Sequence, residues 1–154
     1  MTRQLASFNF GTLRFPWDDP RVKDFQDNLD RVNSLAARSP GFVWRLDDAA
    51  MEAAQMDPEG PLKDRPNTAS TLSVWEQPAD LWHFVHRTLH SRFLARGAEW
   101  FVPGDRGHFV GWWIDRGHKP SVAEGMRMWD EVQANGDSAD AFGAGRLRQL
   151  AEIG

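Results

Sequence analysis

The sequence predicts an α+β domain in the order β-α-β-β-α-β with a helical tail, and three observations predict it. Four short apolar runs, LASFNF, FVWRL, TLSVWE and HFVGWWID, have the length and alternation of strands. The run after the first and the run after the third carry apolar residues at spacings of three and four, the period of a helix packed on a sheet. A further run of that period follows the last strand.

At 154 residues, the chain is long enough for one domain with a real core and too short for two independent ones. Hydrophobic residues make up 41% and charged residues 26%, the balance of a soluble globular protein. A formal charge of −4 and a pI near 5.7 leave no basic footprint, so nucleic acid is not an expected partner. No run approaches the roughly 18 apolar residues of a membrane span, and MTRQLASFNF lacks a signal peptide's apolar core. The expectation is a cytoplasmic protein without a membrane partner. The absence of cysteine excludes disulfides, thiolate nucleophiles and Cys-ligated metals. Catalysis must then use histidine, carboxylates, arginine, hydroxyls, backbone or a bound cofactor. Eight Trp and ten Phe without a Tyr line either a core or a pocket that receives a flat apolar ligand.

Leu5 to Phe10 reads as the first strand, with Leu5, Ser7 and Asn9 on one face and Ala6, Phe8 and Phe10 on the other. An Asn within a strand is unfavourable unless its amide is bonded, so Asn9 is either satisfied locally or part of a pocket's polar lining. Asp18-Asp19-Pro20 offers an N-cap with proline at the first helical position. Val22, Phe25, Leu29, Val32, Leu35 and Ala36 then form the stripe of a helix over 21–37, which Ser39-Pro40-Gly41 ends. Phe42 to Leu46 is the second strand, and alternation puts Phe42, Trp44 and Leu46 on one face, Val43 and Arg45 on the other. Arg45 is either an edge residue reaching for water or a fixed cation that receives an anionic or carbonyl oxygen.

From Asp47 to Thr68 the periodicity fades while Pro, Gly and charge accumulate, which marks a long loop with room for a helical turn in DDAAMEAAQM. It is either a lid or an insertion of no consequence. Thr71 to Glu76 is the third strand. His108 to Asp115 is the fourth, apolar on both faces and so covered on both. Ser121 to Asn135 carries the capping box Ser121…Glu124, the stripe Val122, Met126, Trp129 and Val132, and the stop Asn135-Gly136. The extension 137–154 reads as a short extra helix or a partner-binding arm.

The longest helical pattern, Ala79 to Val102, holds three of the five histidines. Trp82, Val85, Leu89, Phe93 and Trp100 share one stripe, and His83, His86 and His90 lie within a sector of roughly 60° beside it. Such a helix would aim its imidazoles at whatever adjoins the core. The element order is the ferredoxin-like split βαβ arrangement, in which both helices cover one sheet face and the other is bare. Because the strands look apolar on both faces, two sheets are expected to meet across a two-fold axis as a homodimer.

The segments FNFGTLRFPWDDPR, GFVWRL, LSVWE, FVHRTLH…EWF, WWID with Gly117-His118-Lys119-Pro120, and Ala141-Phe142 together resemble the DUF3291 family. The resemblance spans about residues 4 to 143. It implies the dimeric α/β-barrel superfamily, with a pocket inside each protomer between sheet and helices. That superfamily includes cofactor-independent quinone-forming monooxygenases, haem enzymes, lyases and isomerases, so the fold does not choose the chemistry. The family pattern matches Asn9, Trp44-Arg45, Trp75, His90, Trp100 and Trp112-Trp113, and departs at His86, where the family more often shows an aromatic residue.

The expected site therefore has His90, with His86, as acid–base groups and Asn9 and Arg45 as binders of substrate oxygens. Trp44, Trp75, Phe93, Trp100 and Trp112 would shape the pocket. A single imidazole near neutrality suffices for proton transfer. The spacing of His83, His86 and His90 would let two share a metal, but no carboxylate accompanies them in the helix, so none is expected. The leading expectation is a cofactor-independent monooxygenase-like enzyme acting on a hydrophobic aromatic or polycyclic small molecule, leaning on base and desolvation. The alternatives are a cyclase, isomerase or dehydratase without O₂, a haem enzyme ligated by His86 or His90, and a non-enzymatic ligand-binding protein.

Overall fold

The computed structural model describes residues 3–65, 67–87, 96–102 and 108–153. Its elements in chain order are β1 (Arg3–Thr12), a 3₁₀ turn at Pro20–Val22, α1 (Lys23–Ala37), β2 (Phe42–Arg45), α2 (Asp48–Met56), β3 (Thr68–Trp75), α3 (Pro78–Arg87), α4 (Gly97–Trp100), β4 (His108–Asp115), α5 (Val122–Asn135), β5 (Ala141–Phe142) and α6 (Ala144–Ile153). The sheet runs β2-β3-β1-β4-β5 with every neighbouring pair antiparallel. Its first four strands have the ferredoxin-like order, and β5 extends the β4 edge.

Local chemistry sets the boundaries. Asp19 caps the 3₁₀ turn by accepting from the Arg21 amide at 2.8 Å, and Pro20 follows at the first position. Asp47 caps α2 through the Ala50 amide at 2.8 Å. Ser121 caps α5 through the Glu124 amide at 3.1 Å, but only this half of the expected capping box forms. The Glu124 carboxylate turns instead to the Trp112 indole N–H and the His118 ring, each at 2.8 Å. Gly41 at φ +81° ends the turn into β2, and a Cβ there would lie 2.0 Å from the Asp80 carboxylate, so both the backbone and the close approach require glycine.

The two sheet faces carry separate cores. On one, Ala6, Phe8, Phe10, Leu72, Val74, Val110, Trp112 and Ile114 are buried against Met51 of α2 and Val122 of α5. Gly125 lets α5 approach so closely that a Cβ would sit 2.9 Å from the Phe8 ring. On the other face, Leu5 and Trp75 pack with Val32 and Ala36 of α1, Leu81 and Phe84 of α3, and Leu147 of α6. Leu13 and Ala69 continue that face to Val22, Phe25 and Trp100.

Three expectations change here. The face expected to stay bare for a partner sheet is closed by the chain's own α2 and α5, so apolar strands on both faces do not require a second copy. The helix expected over Ala79–Val102 is described as α3 and α4, with Arg96 in a turn before α4. Phe42 and Trp44 lie on opposite faces, because the register shifts between them. The tail forms the short extra helix expected of it, α6, and is built into the fold: β5 pairs with β4, and Leu147 is buried beside α3.

Candidate functional site

The register of the sheet places polar residues where a core would ordinarily be apolar. Across the α1 face, Arg45 of β2 lies opposite Ser73, Ser73 opposite Ser7, and Ser7 opposite Gly111. The adjacent row on that face is Thr71, Asn9 and Phe109. Apolar residues bound the rows at both ends: Phe42, Trp75, Leu5 and Trp113 on one side, Ala69 and Leu13 on the other. The result is a polar patch enclosed by hydrophobic packing.

Within it, the Thr71 hydroxyl donates to the Asn9 side-chain oxygen, and the Trp75 indole N–H donates to Ser73 Oγ at 2.9 Å. Ser7 is 4% exposed, and its hydroxyl has no hydrogen-bond partner among the described residues. Asn33 of α1, 9% exposed, is in the same position. The other two buried polar residues among the described ones, Gln4 and Thr68, are both bonded. The N-terminal half of α1 packs at the Leu13 and Ala69 end, and its C-terminal half at the Leu5 and Trp75 end. Asn33 lies between Val32 and Ala36 in the C-terminal half. Asn9, Thr71, Ser73 and Phe109 remain partly exposed in the middle of the sheet, so the helices do not seal the patch.

Of the residues expected at the site, Asn9 and Trp75 are at this patch. Arg45 starts from it, but its guanidinium bends round the edge strand, donating to the Leu46 carbonyl at 3.1 Å and pairing with Asp48 at 3.0 Å. Trp44 and Trp112 belong to the opposite face, and Trp112 is 2% exposed with its N–H held by Glu124. Trp100 is buried against Phe25, ring centroids 5.4 Å apart, with the Arg96 guanidinium over it. These four indoles do not surround one hollow. They are mostly core, because alternation groups residues within a strand but does not say which face a neighbouring strand shares.

His86 is exposed on α3, with its ring on Trp82 at a centroid separation of 3.8 Å. Burial against its neighbours holds its pKa below the ordinary histidine value, and the nearby Arg148 charge adds to this. A surface imidazole stacked on an indole does not fit the buried proximal position that haem requires. His90 and Phe93 lie outside the described residues. Among the described residues no three His, Asp or Glu side chains are arranged to hold a metal.

Ser7, Thr71, Ser73 and Asn33 were not singled out from sequence. The available signal was parity: Ser7 and Asn9 alternate with Leu5, and Ser73 and Thr71 with Trp75, while Asn33 interrupts an otherwise apolar stripe.

Comparison with known proteins adds fold and family. The crystal structure of NE2512, a protein of unknown function from Nitrosomonas europaea, aligns with a TM-score of 0.50 at 13% sequence identity, covering 78% of this chain and 97% of that one. At that identity the likeness concerns the fold alone. No curated protein matches the chain. The family described as a domain of unknown function, DUF3291, matches residues 4–152, nearly the whole length, and the protein thus belongs to the DUF3291 family.

Proposed function

We propose that the chain is a small-molecule enzyme whose substrate lies over the polar patch on the α1 face. The observation that carries this is the partly open group of Asn9, Thr71 and Ser73 around the Ser7 hydroxyl, which has no hydrogen-bond partner among the described residues. A buried hydroxyl without a partner costs about 1–3 kcal/mol, a cost that a bound oxygen or nitrogen atom would remove. Ser7, Thr71 and the Asn9 amide supply donors and acceptors for one edge of the ligand, and Trp75 and Phe109 supply apolar walls for its body. The ligand class is a flat, hydrophobic molecule with hydroxyl or carbonyl oxygens on one edge.

In the monooxygenase-like form of the proposal, a base removes a C–H proton from a substrate whose carbanion is stabilised by those oxygens. O₂ then supplies one oxygen atom to that carbon and leaves as water with the two hydrogens lost, so no reductant is consumed. His90 is the base that the sequence offers for this step. Without O₂ the same proton transfer serves an isomerase or dehydratase.

A second reading rests on a specific feature: among the described residues the patch is neutral, with Arg45 tied to Asp48. Neutral donors and acceptors orient a ligand but do not move protons, which favours a binding protein. An anthrone, a flat polycycle with an acidic C–H, separates the readings. Oxygen uptake lost in both His90→Ala and Asn9→Leu, with anthrone still bound by His90→Ala, supports the enzyme. Binding without turnover in the wild type supports the carrier, and binding unaffected by Asn9→Leu removes the patch as the site.

A further inference from the structure

A second hollow lies away from the patch, where the excursion between β2 and β3 folds back on the segment before α1. It measures about 260 Å³ and is lined by Trp17, Met56, Asp57, Leu62, Lys63 and Asn67, among others. That is just below the roughly 300–1,000 Å³ of sites for drug-sized ligands, so the occupant is small. Among the described residues, the stretch from Gln55 to Thr68 contributes all of the lining except Trp17.

The walls are held in place. The Asn67 carbonyl accepts from the Leu13 amide at 2.8 Å while its backbone adopts φ +59°, a left-handed conformation that asparagine tolerates better than most residues. Asp57 Oδ1 accepts from the Glu59 amide at 2.9 Å. Leu62 is 1% exposed. The Trp17 ring is braced by Phe25, centroids 5.7 Å apart.

Three of the residues that line it keep unspent polar groups. Among the described residues, the Lys63 ammonium, the Trp17 indole N–H and the Asn67 amide have no side-chain partner. Lys63 and Asp57 carry opposite charges on one cavity, yet they form no ion pair with each other among the described residues. Two opposite charges on one hollow that do not pair with each other are complementary to a ligand that carries both charges itself.

We propose that this cavity binds a small aromatic zwitterion of the α-amino-acid class, with its carboxylate at Lys63, its ammonium at Asp57 and its ring against Trp17. This goes beyond the reading of the sheet-face patch and does not depend on it. Calorimetry with L-phenylalanine, phenylacetate and phenethylamine tests it on the intact chain. Phenylalanine binds, and each single-charge analogue binds about tenfold more weakly. Lys63→Met erases the advantage of phenylalanine over phenethylamine, and Asp57→Asn erases its advantage over phenylacetate. Both variants leave Tm in place, since Lys63 and Asp57 are exposed. Equal affinity for the three probes, no binding of phenylalanine, or wild-type discrimination in Lys63→Met overturns the proposal.

Discussion

Ser7→Ala removes a hydroxyl that is 4% exposed and unpartnered among the described residues, with almost no change in side-chain volume. Its cost in the free protein is the desolvation of a hydroxyl, about 1–3 kcal/mol on mutational scales. Alanine recovers part of that and loses a few tenths through its poorer fit to a central strand. A net gain of about 1 kcal/mol remains, or roughly 2–4 °C in Tm for a chain of this length. Thermal and urea unfolding of the ligand-free protein read the gain directly, and anthrone affinity falls in the same variant if the hydroxyl serves the ligand. A loss of stability of about 1 kcal/mol or more would refute the reasoning, because it would mean that the hydroxyl is satisfied within the folded chain. Stability gained at the expense of binding is the signature of a polar group kept for function.

Other perturbations probe the surroundings of the patch. Gly111→Ala places a Cβ 2.9 Å from the Phe142 ring and 3.0 Å from the Phe109 ring, so urea unfolding is expected to show a loss of about 1–3 kcal/mol. Glu124→Met leaves the Ser121 cap intact but strips the partner from the Trp112 N–H, which is expected to cost about 1–3 kcal/mol, read as a fall in Tm. The lowered pKa of His86 means that the native state binds fewer protons than the unfolded one below about pH 6.5. Stability therefore falls as the pH drops from about 6.5 and levels off below the folded value. His86→Gln is expected to lose that component, and a variant with the wild-type pH slope would show that the stack on Trp82 does not perturb the imidazole.

Much of the architecture could be read from local pattern, because helix and strand periods act over a few residues. The boundaries of β4, the stop at Gly136 and the caps at Asp19 and Ser121 all follow from side chains within one turn of the place they act. Alternation groups Trp44 with Phe42 on one face, and Trp44 leaves that face for a long-range reason. One register shift between Phe42 and Trp44 sends Trp44 away from Trp75, and nothing within FVWRL marks it. Asn9 was legible because a lone amide in a strand demands a partner. Ser7, Ser73 and Thr71 are ordinary in strands and become notable only as neighbours across two paired strands of the sheet.

The amino-acid order by itself determined the elements, their β-α-β-β-α-β succession and the exclusion of thiol chemistry, since these depend on residue type and short-range spacing. Tertiary structure alone decided which faces the indoles fill, that α2 and α5 close the second face of the sheet, and that four small polar side chains gather on the first. Those outcomes follow from pairing between segments far apart in the chain, such as Asn9 with Thr71, where the register of one strand against another is set by packing rather than by either strand's own sequence.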